Sequence, residues 1–248
     1  MASSTRILFV SGEVPPFAAA SPLAERTRAL AASLQNIKGL DARLMMPCYG
    51  SIRERKHRLH EVIRLSGTEV PMGDDVETLT VKVSSLPEAG MQVYFMDHDD
   101  YFDREGVLAG DDGTPFDDNN ARALFFARAV LETLRTLRWR PDVIHAFGWM
   151  GGLVPLLLDA EYAEDELLQG LPVVYTPDTL TPEATVPASL CRAAGLESPC
   201  TTQEAGLQAH AVIAPPEYDA ATDHTFASED RASQLLTLYE SLMDEVPV

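Results

Sequence analysis

Side chains able to bind or turn over a polar ligand stand at a few points of this sequence: Glu13, the pair Asp118 and Asn119, His145 and Trp149. Glu13 lies in the turn Ser11-Gly12-Glu13 directly after an apolar run, a place that suits a ligand-facing carboxylate as well as a solvated loop residue. His145 ends another apolar run, and its ring nitrogens can serve a ligand or the backbone of a core. Trp149 sits in the turn Gly148–Gly152, where an indole either stacks on a sugar ring or, more commonly, anchors packing. Asp118 and Asn119 precede a helical stretch and make a good cap for it. Asp97-His98-Asp99-Asp100 has the residue types of a cation site, although such a run is more often a solvated turn. Arg53, Arg55, Lys56, His57 and Arg58 form the one basic cluster, read as an exposed helix face before it is read as a contact for phosphate or a partner. The sequence holds no Ser-His-Asp arrangement, P-loop or metal motif.

The elements that must position these residues follow from hydrophobic patterning. Arg6–Val10 is a short continuous apolar run, as in a buried parallel strand. Leu23, Thr27, Leu30 and Leu34 recur at helical spacing behind Pro22, which suits a first helical position, and Gly39 suits the stop. Ala42–Met46 reads as a second strand. Leu79–Val83 and Met91–Met96 are further strands, paired as a hairpin or successive in the sheet. Asn119–Leu137 carries Ala123, Phe126, Ala127, Val130, Leu134 and Leu137 at the spacing of one helix face. Val143–Ala146, the glycine turn and an apolar helix through Leu158 make a βα unit. Val173–Thr176 and Ala211–Ala214 read as the last buried strands, Gln234–Met243 as a terminal helix, and 177–205 as the most loop-like stretch. Strands alternating with helices predict an α/β fold with a doubly wound parallel sheet. Ligands would then bind in the turns at the carboxyl ends of its strands.

A chain of 248 residues buries a core as one large domain, here 1–248 with 219–248 as an acidic helical extension. The net charge of −19 is uneven: from Asp159 onward, 17 Asp or Glu face only Arg192 and Arg231. Such a field repels nucleic-acid phosphates and anionic lipid, so neither is an expected partner, and it suits a strongly solvated surface. No apolar stretch approaches the roughly 18 residues of a membrane helix. Ile7–Val10 is too short for a signal-peptide core, so the cytoplasm is the expected compartment. Cys48, Cys191 and Cys200 share no metal-ligand spacing and their odd number argues against a disulfide framework, so all three are read as ordinary thiols. No metal or other cofactor is expected.

Four segments resemble glycogen and starch synthases of the ADP-glucose type. RILFVSGEVPPFAAASPLAE is similar to that family's opening strand and S-E-x-x-P-F-x-K-x-G-G-L-A-D turn, matching at Glu13, Pro16, Phe17, Leu23 and Ala24. RPDVIHAFGWMGGLVP resembles R-P-D-V-(V/I)-H-x-(H/N)-D-W-H-x-G-L-x-P, matching at Arg140–Asp142, His145, Trp149, Gly152, Leu153 and Pro155. MPCYGSIRER and YFDREGVLAGDDGTPFDDNNAR resemble two further family segments in the same order, so the resemblance covers about residues 6–218. It implies a Rossmann-like half of a GT-B glycosyltransferase, related to transfer of glucose from ADP-glucose to an α-1,4-glucan. Glu13, Asp118, Asn119, His145 and Trp149 would be its substrate-side residues. It is also similar to short single-domain members from Bacteroidetes-like bacteria.

Departures from the family pattern bear on activity. The lysine and paired glycines that approach the donor diphosphate are replaced by Ala19, Ser21 and Pro22; alanine has no charge and proline no N–H to offer. The family's Asp-Trp-His is Gly148-Trp149-Met150, the histidine of its next motif falls near Pro177, and a chain of this length leaves no place for a second nucleotide-binding domain. The resemblance therefore implies a domain degenerate on its own, or a non-catalytic glucan-binding or regulatory module that pairs with itself or with a full-length synthase. Either α-glucan or ADP-glucose is the expected small-molecule partner.

Overall fold

The structure, a computed structural model, describes residues 4–34, 37–178, 184–193, 196, 198–214 and 231–245. The apolar runs become strands: β1 (Thr5–Ser11) leads through α1 (Pro22–Leu34) to β2 (Leu40–Pro47). After the single turn α2 (Glu54–His57) come β3 (His60–Glu61), β4 (Thr68–Met72), β5 (Asp75–Ser85), β6 (Gln92–Asp97) and the short α3 (Asp99–Phe102). The long α4 (Asn119–Leu137) returns the chain to β7 (Val143–Phe147), then α5 (Gly148–Gly151), α6 (Leu153–Ala160) and β8 (Val173–Thr176). Next are α7 (Ala188–Ala193), α8 (Thr202–Gly206), β9 (Ala211–Val212) and α9 (Arg231–Glu245).

The main sheet runs β3-β5-β6-β2-β1-β7-β8-β9, with β4 paired to β5. From β6 to β9 every pairing is parallel. Ile7, Leu8, Phe9 and Val10 are wholly buried, as a strand covered on both faces requires. The α1 crossover runs from β1 to β2 in one direction and the α4 crossover from β6 to β7 in the other, so right-handed connections put them on opposite faces. α9 joins the α1 face, packing on α1 and β7, while α4 and α6 pack together. The doubly wound parallel sheet is thus present, with an antiparallel margin at one edge. There Leu79–Val83 and Met91–Met96 pair antiparallel within β5 and β6, the hairpin option.

α4 has the bounds its periodicity predicts, because Ala123, Phe126, Ala127, Val130 and Leu134 form one buried face. β9 is shorter than Ala211–Ala214, although the Ile213 N–H still donates to the Tyr175 carbonyl at 2.9 Å. The thiol expectation needs correction: Cys191 and Cys200 form a disulfide with Cα atoms 6.3 Å apart. An odd count leaves one cysteine over; it does not forbid a pair that α7 and the following loop bring together. Cys48 is the free one, buried, and that burial pushes its thiol pKa up to about 12. Of the predicted extension 219–248, Arg231–Glu245 form α9, and 219–230 and 246–248 lie outside the described residues. No described helix is long and apolar enough to cross a membrane.

Candidate functional site at the strand ends

Parallel register brings the carboxyl ends of three neighbouring strands level, with Ser11 beside Phe147 and Phe147 beside Thr176. Above them the turns after β1, β7 and β8 meet around a gap lined by Gly12, Glu13, Leu23, Trp149, Met150 and Asp178 among others. The gap measures about 10 Å³. That is the room one water needs.

Backbone and side chains both close this space. Gly148 turns the chain out of β7 at φ +60°, which glycine adopts without strain. The helix that follows presses Met150 onto the backbone of the β1 turn: a Cβ at Gly12 would stand 2.8 Å from the Met150 Cγ. Trp149, 5% exposed, faces the same gap. The indole is used here for packing, at a gap whose described walls leave about the room of one water.

Glu13 is 7% exposed, and its carboxylate folds back onto the start of α1. One carboxylate oxygen accepts the N–H groups of Ala20 and Ser21, the latter at 3.0 Å, and the other accepts the Ser21 hydroxyl at 2.5 Å. Ser21 Oγ accepts in turn from the Leu23 N–H at 3.2 Å. A helix start offers N–H groups and a positive dipole end to an anion, and here the chain's own carboxylate takes them. Burial raises the Glu13 pKa, the three hydrogen bonds oppose this, and the charge of Asp178 adds to the rise. Asp178, 4% exposed, receives no mention from composition or spacing; its own N–H donates to Gln203 Oε1 at 3.2 Å. The gap therefore carries two carboxylates and no described cation in its lining.

His145 lies one layer deeper, wholly buried, and not at the gap. Its Nδ1 meets the Tyr239 hydroxyl of α9 at 2.6 Å and its Nε2 the Thr176 hydroxyl at 2.8 Å. Its ring stacks on Phe147 at 4.1 Å between centroids. Burial lowers its pKa to about 3, so it is neutral at physiological pH with both nitrogens occupied. This is the core histidine of the two readings, although hydroxyl groups rather than backbone satisfy it.

Asp118 and Asn119 are in a different place again, and the cap expectation is corrected. Asp118 stands at the N-cap of α4 but makes no side-chain cap bond. Its carboxylate pairs with both terminal nitrogens of Arg104, at 2.8 and 2.9 Å. Asn119 donates to the Leu108 carbonyl at 2.9 Å and accepts from Arg122 at 2.7 Å. Arg122, wholly buried, donates to the Tyr101 and Val107 carbonyls, each at 2.8 Å. The three residues clamp α3 and the loop after it, through Leu108, to α4, and Val107 carries that clamp to the edge of the gap.

The structure thus brings Glu13 and Trp149 together and leaves His145, Asp118 and Asn119 outside the gap. Among the described residues no group of three or more His, Cys, Asp or Glu could hold a metal. Asp97 turns to Lys82 at 2.5 Å and His98 to Glu77 at 3.2 Å, so that run diverges.

Comparison with known proteins gives the family and the fold. The starch synthase catalytic domain family matches residues 6–222. A glycogen synthase of Pelodictyon phaeoclathratiforme is 41% identical over 172 residues, 69% of this chain and 35% of that protein. Its counterpart from Chlorobium luteolum is 42% identical over the same shares. The chain therefore spans about a third of the length of these curated relatives. The catalytic domain of starch synthase IV from Arabidopsis thaliana, solved with ADP and acarbose, superposes with a TM-score of 0.70 at 20% identity, covering 85% of this chain and 45% of that one. That likeness establishes a GT-B glycosyltransferase sheet. With the family spanning nearly all of its described core, this chain belongs to the starch synthase catalytic domain family.

Proposed function

We propose that this synthase-type domain no longer holds a sugar-nucleotide donor itself and serves as a non-catalytic, glucan-binding or regulatory module beside a complete synthase. Its descent is from transfer of glucose out of ADP-glucose onto α-1,4-glucan. The observation that carries the reading is the Glu13 carboxylate seated on the Ala20 and Ser21 N–H groups beneath a gap of about 10 Å³. A diphosphate brought there would meet two carboxylates, at an α1 start whose donors are already used. The Arabidopsis neighbour was solved with ADP and acarbose, so its cleft admits both a nucleotide and an oligosaccharide.

Calorimetry on the purified chain tests this, with ADP-glucose, ADP and maltoheptaose titrated separately and a full-length glycogen synthase added in a fourth run. Glucan or synthase binding without nucleotide binding is the expected result. Saturable ADP-glucose binding, with ADP released on adding glucan, overturns the reading.

A further inference from the structure

Part of the chain's one basic cluster lines a cavity separate from the gap at the strand ends. Of 19 Lys and Arg residues, five fall within 53–64. Two of them, Lys56 and Arg58, help enclose a cavity of about 580 Å³ around the end of α2 and the start of β3. Its ionisable walls are Lys56, His57, Arg58 and His60, and no described Asp or Glu contributes to the lining. Of the carboxylates near it in sequence, Glu54 pairs with Lys82 at 2.6 Å and Glu88 with Arg28 at 3.1 Å, while Glu61 of β3 stands beside His60 without lining the cavity. Lys56 and Arg58 have neither ion pair nor side-chain hydrogen bond among the described residues.

Two features say that the cavity is shaped. Arg58 ends α2 in the left-handed region at φ 54°, its N–H bonded to the Glu54 carbonyl, so the helix stop fixes the backbone from which its side chain leaves. The Phe17 ring is held edge-on between Phe95, at 4.9 Å, and His57, at 5.1 Å, and also lines the cavity. The lining also holds groups suited to neutral hydroxyls: the Ser84 hydroxyl, which donates to the His57 carbonyl at 2.5 Å and keeps acceptor capacity, and the amide of Gln92. A wall of unpaired cations, an aromatic ring and hydroxyl-binding groups in a space of small-molecule size is the recognition chemistry of a phosphorylated sugar.

We infer that the cavity between α2, β3 and the ends of β5 and β6 is a binding site for a sugar phosphate. Lys56 and Arg58 take the phosphoryl group, and Phe17 lies under the apolar face of the ring. The site is independent of the strand-end gap and of the role proposed for it.

Titration of the full chain at low salt with inorganic phosphate, glucose 1-phosphate and glucose tests the assignment by calorimetry and phosphorus NMR. Glucose 1-phosphate is expected to bind saturably, phosphate more weakly and glucose not at all. Lys56→Gln and Arg58→Gly are each expected to weaken glucose 1-phosphate binding about tenfold, the worth of one charge-assisted contact. Arg58→Gly removes the guanidinium while easing the left-handed backbone, so the fold persists, and Lys56→Gln changes an exposed residue. Glucose binding as tightly as its phosphate, affinities unmoved by both substitutions, or no saturable binding overturns the assignment. Phosphate binding as tightly as the ester overturns its sugar half.

Discussion

Glu13 and Phe17 stand four residues apart in the loop after β1, yet they face spaces of opposite kind. Glu13 lines a gap of about 10 Å³ that holds two carboxylates and is filled by Trp149 and Met150. Phe17 lines a cavity of about 580 Å³ walled by cations. The first is where a doubly wound sheet ordinarily binds its ligand; the second lies out at the antiparallel margin. The contrast teaches that a fold marks where binding is easy to build, while side-chain packing and charge decide whether the place stays open.

The sharpest way to break the comparison is to remove a large side chain from each region. If the strand-end region is packed core, Trp149→Ala will lower the unfolding free energy by about 4 kcal/mol, whereas Lys56→Gln at the cavity will change it by less than about 0.5 kcal/mol. Denaturant titration reads both, and a small loss for the tryptophan variant would mean an open cleft.

Acid separates the regions next. His145 is held near 3 in the folded chain against an ordinary 6.5, so below pH 6.5 the unfolded chain takes up a proton that the folded one refuses. Stability is therefore lost as pH falls through that window, at up to about 1.4 kcal/mol per unit. Glu13 has the opposite sign: its raised folded pKa makes the folded chain take up its proton first on acidification. Comparison with His145→Gln isolates the histidine. Between pH 7 and pH 5 the parent is expected to lose about 2 kcal/mol more than that variant. Parallel pH profiles would place His145 in contact with solvent.

The smallest effect tests the loop clamp at the rim. A cap at Asp118 would tolerate serine, but a partner for Arg104 would not. Asp118→Ser and Asp118→Ala are expected to be equally destabilising, each by about 0.5 kcal/mol for a partly exposed pair. Full retention of stability by serine alone would restore the capping role.

How much of this could be read beforehand depends on the reach of the interactions. α4 and the central strands were legible because their information is local: one apolar face at helical spacing, or a run of buried residues. The antiparallel pairing of β5 with β6 stayed open because the same two runs suit a hairpin or successive strands. Asp118 was misassigned since a carboxylate before a helix has the same text whether it caps the helix or reaches Arg104, 14 residues back. The partners of His145 are 31 and 94 residues away, beyond any local pattern. The Cys191–Cys200 bond depends on how α7 folds back and not on a count of cysteines. Of the site, Glu13 and Trp149 were found from their place after strands, but the plug itself was not, because Met150 matters only through its contact with Gly12.

The bond between His145 and Tyr239 also sets an order of events during synthesis. β7 leaves the ribosome long before the helix that completes it, and at synthesis rates of about 5–20 residues per second the intervening 94 residues take several seconds. For that interval α1 covers its face of the sheet over β1 and β2, while β7 lacks its helix and the imidazole has one nitrogen unserved. α9 thus reaches the sheet after the strands it covers, and a ribosome stalled before residue 231 would display an unfinished surface to the cell's chaperones.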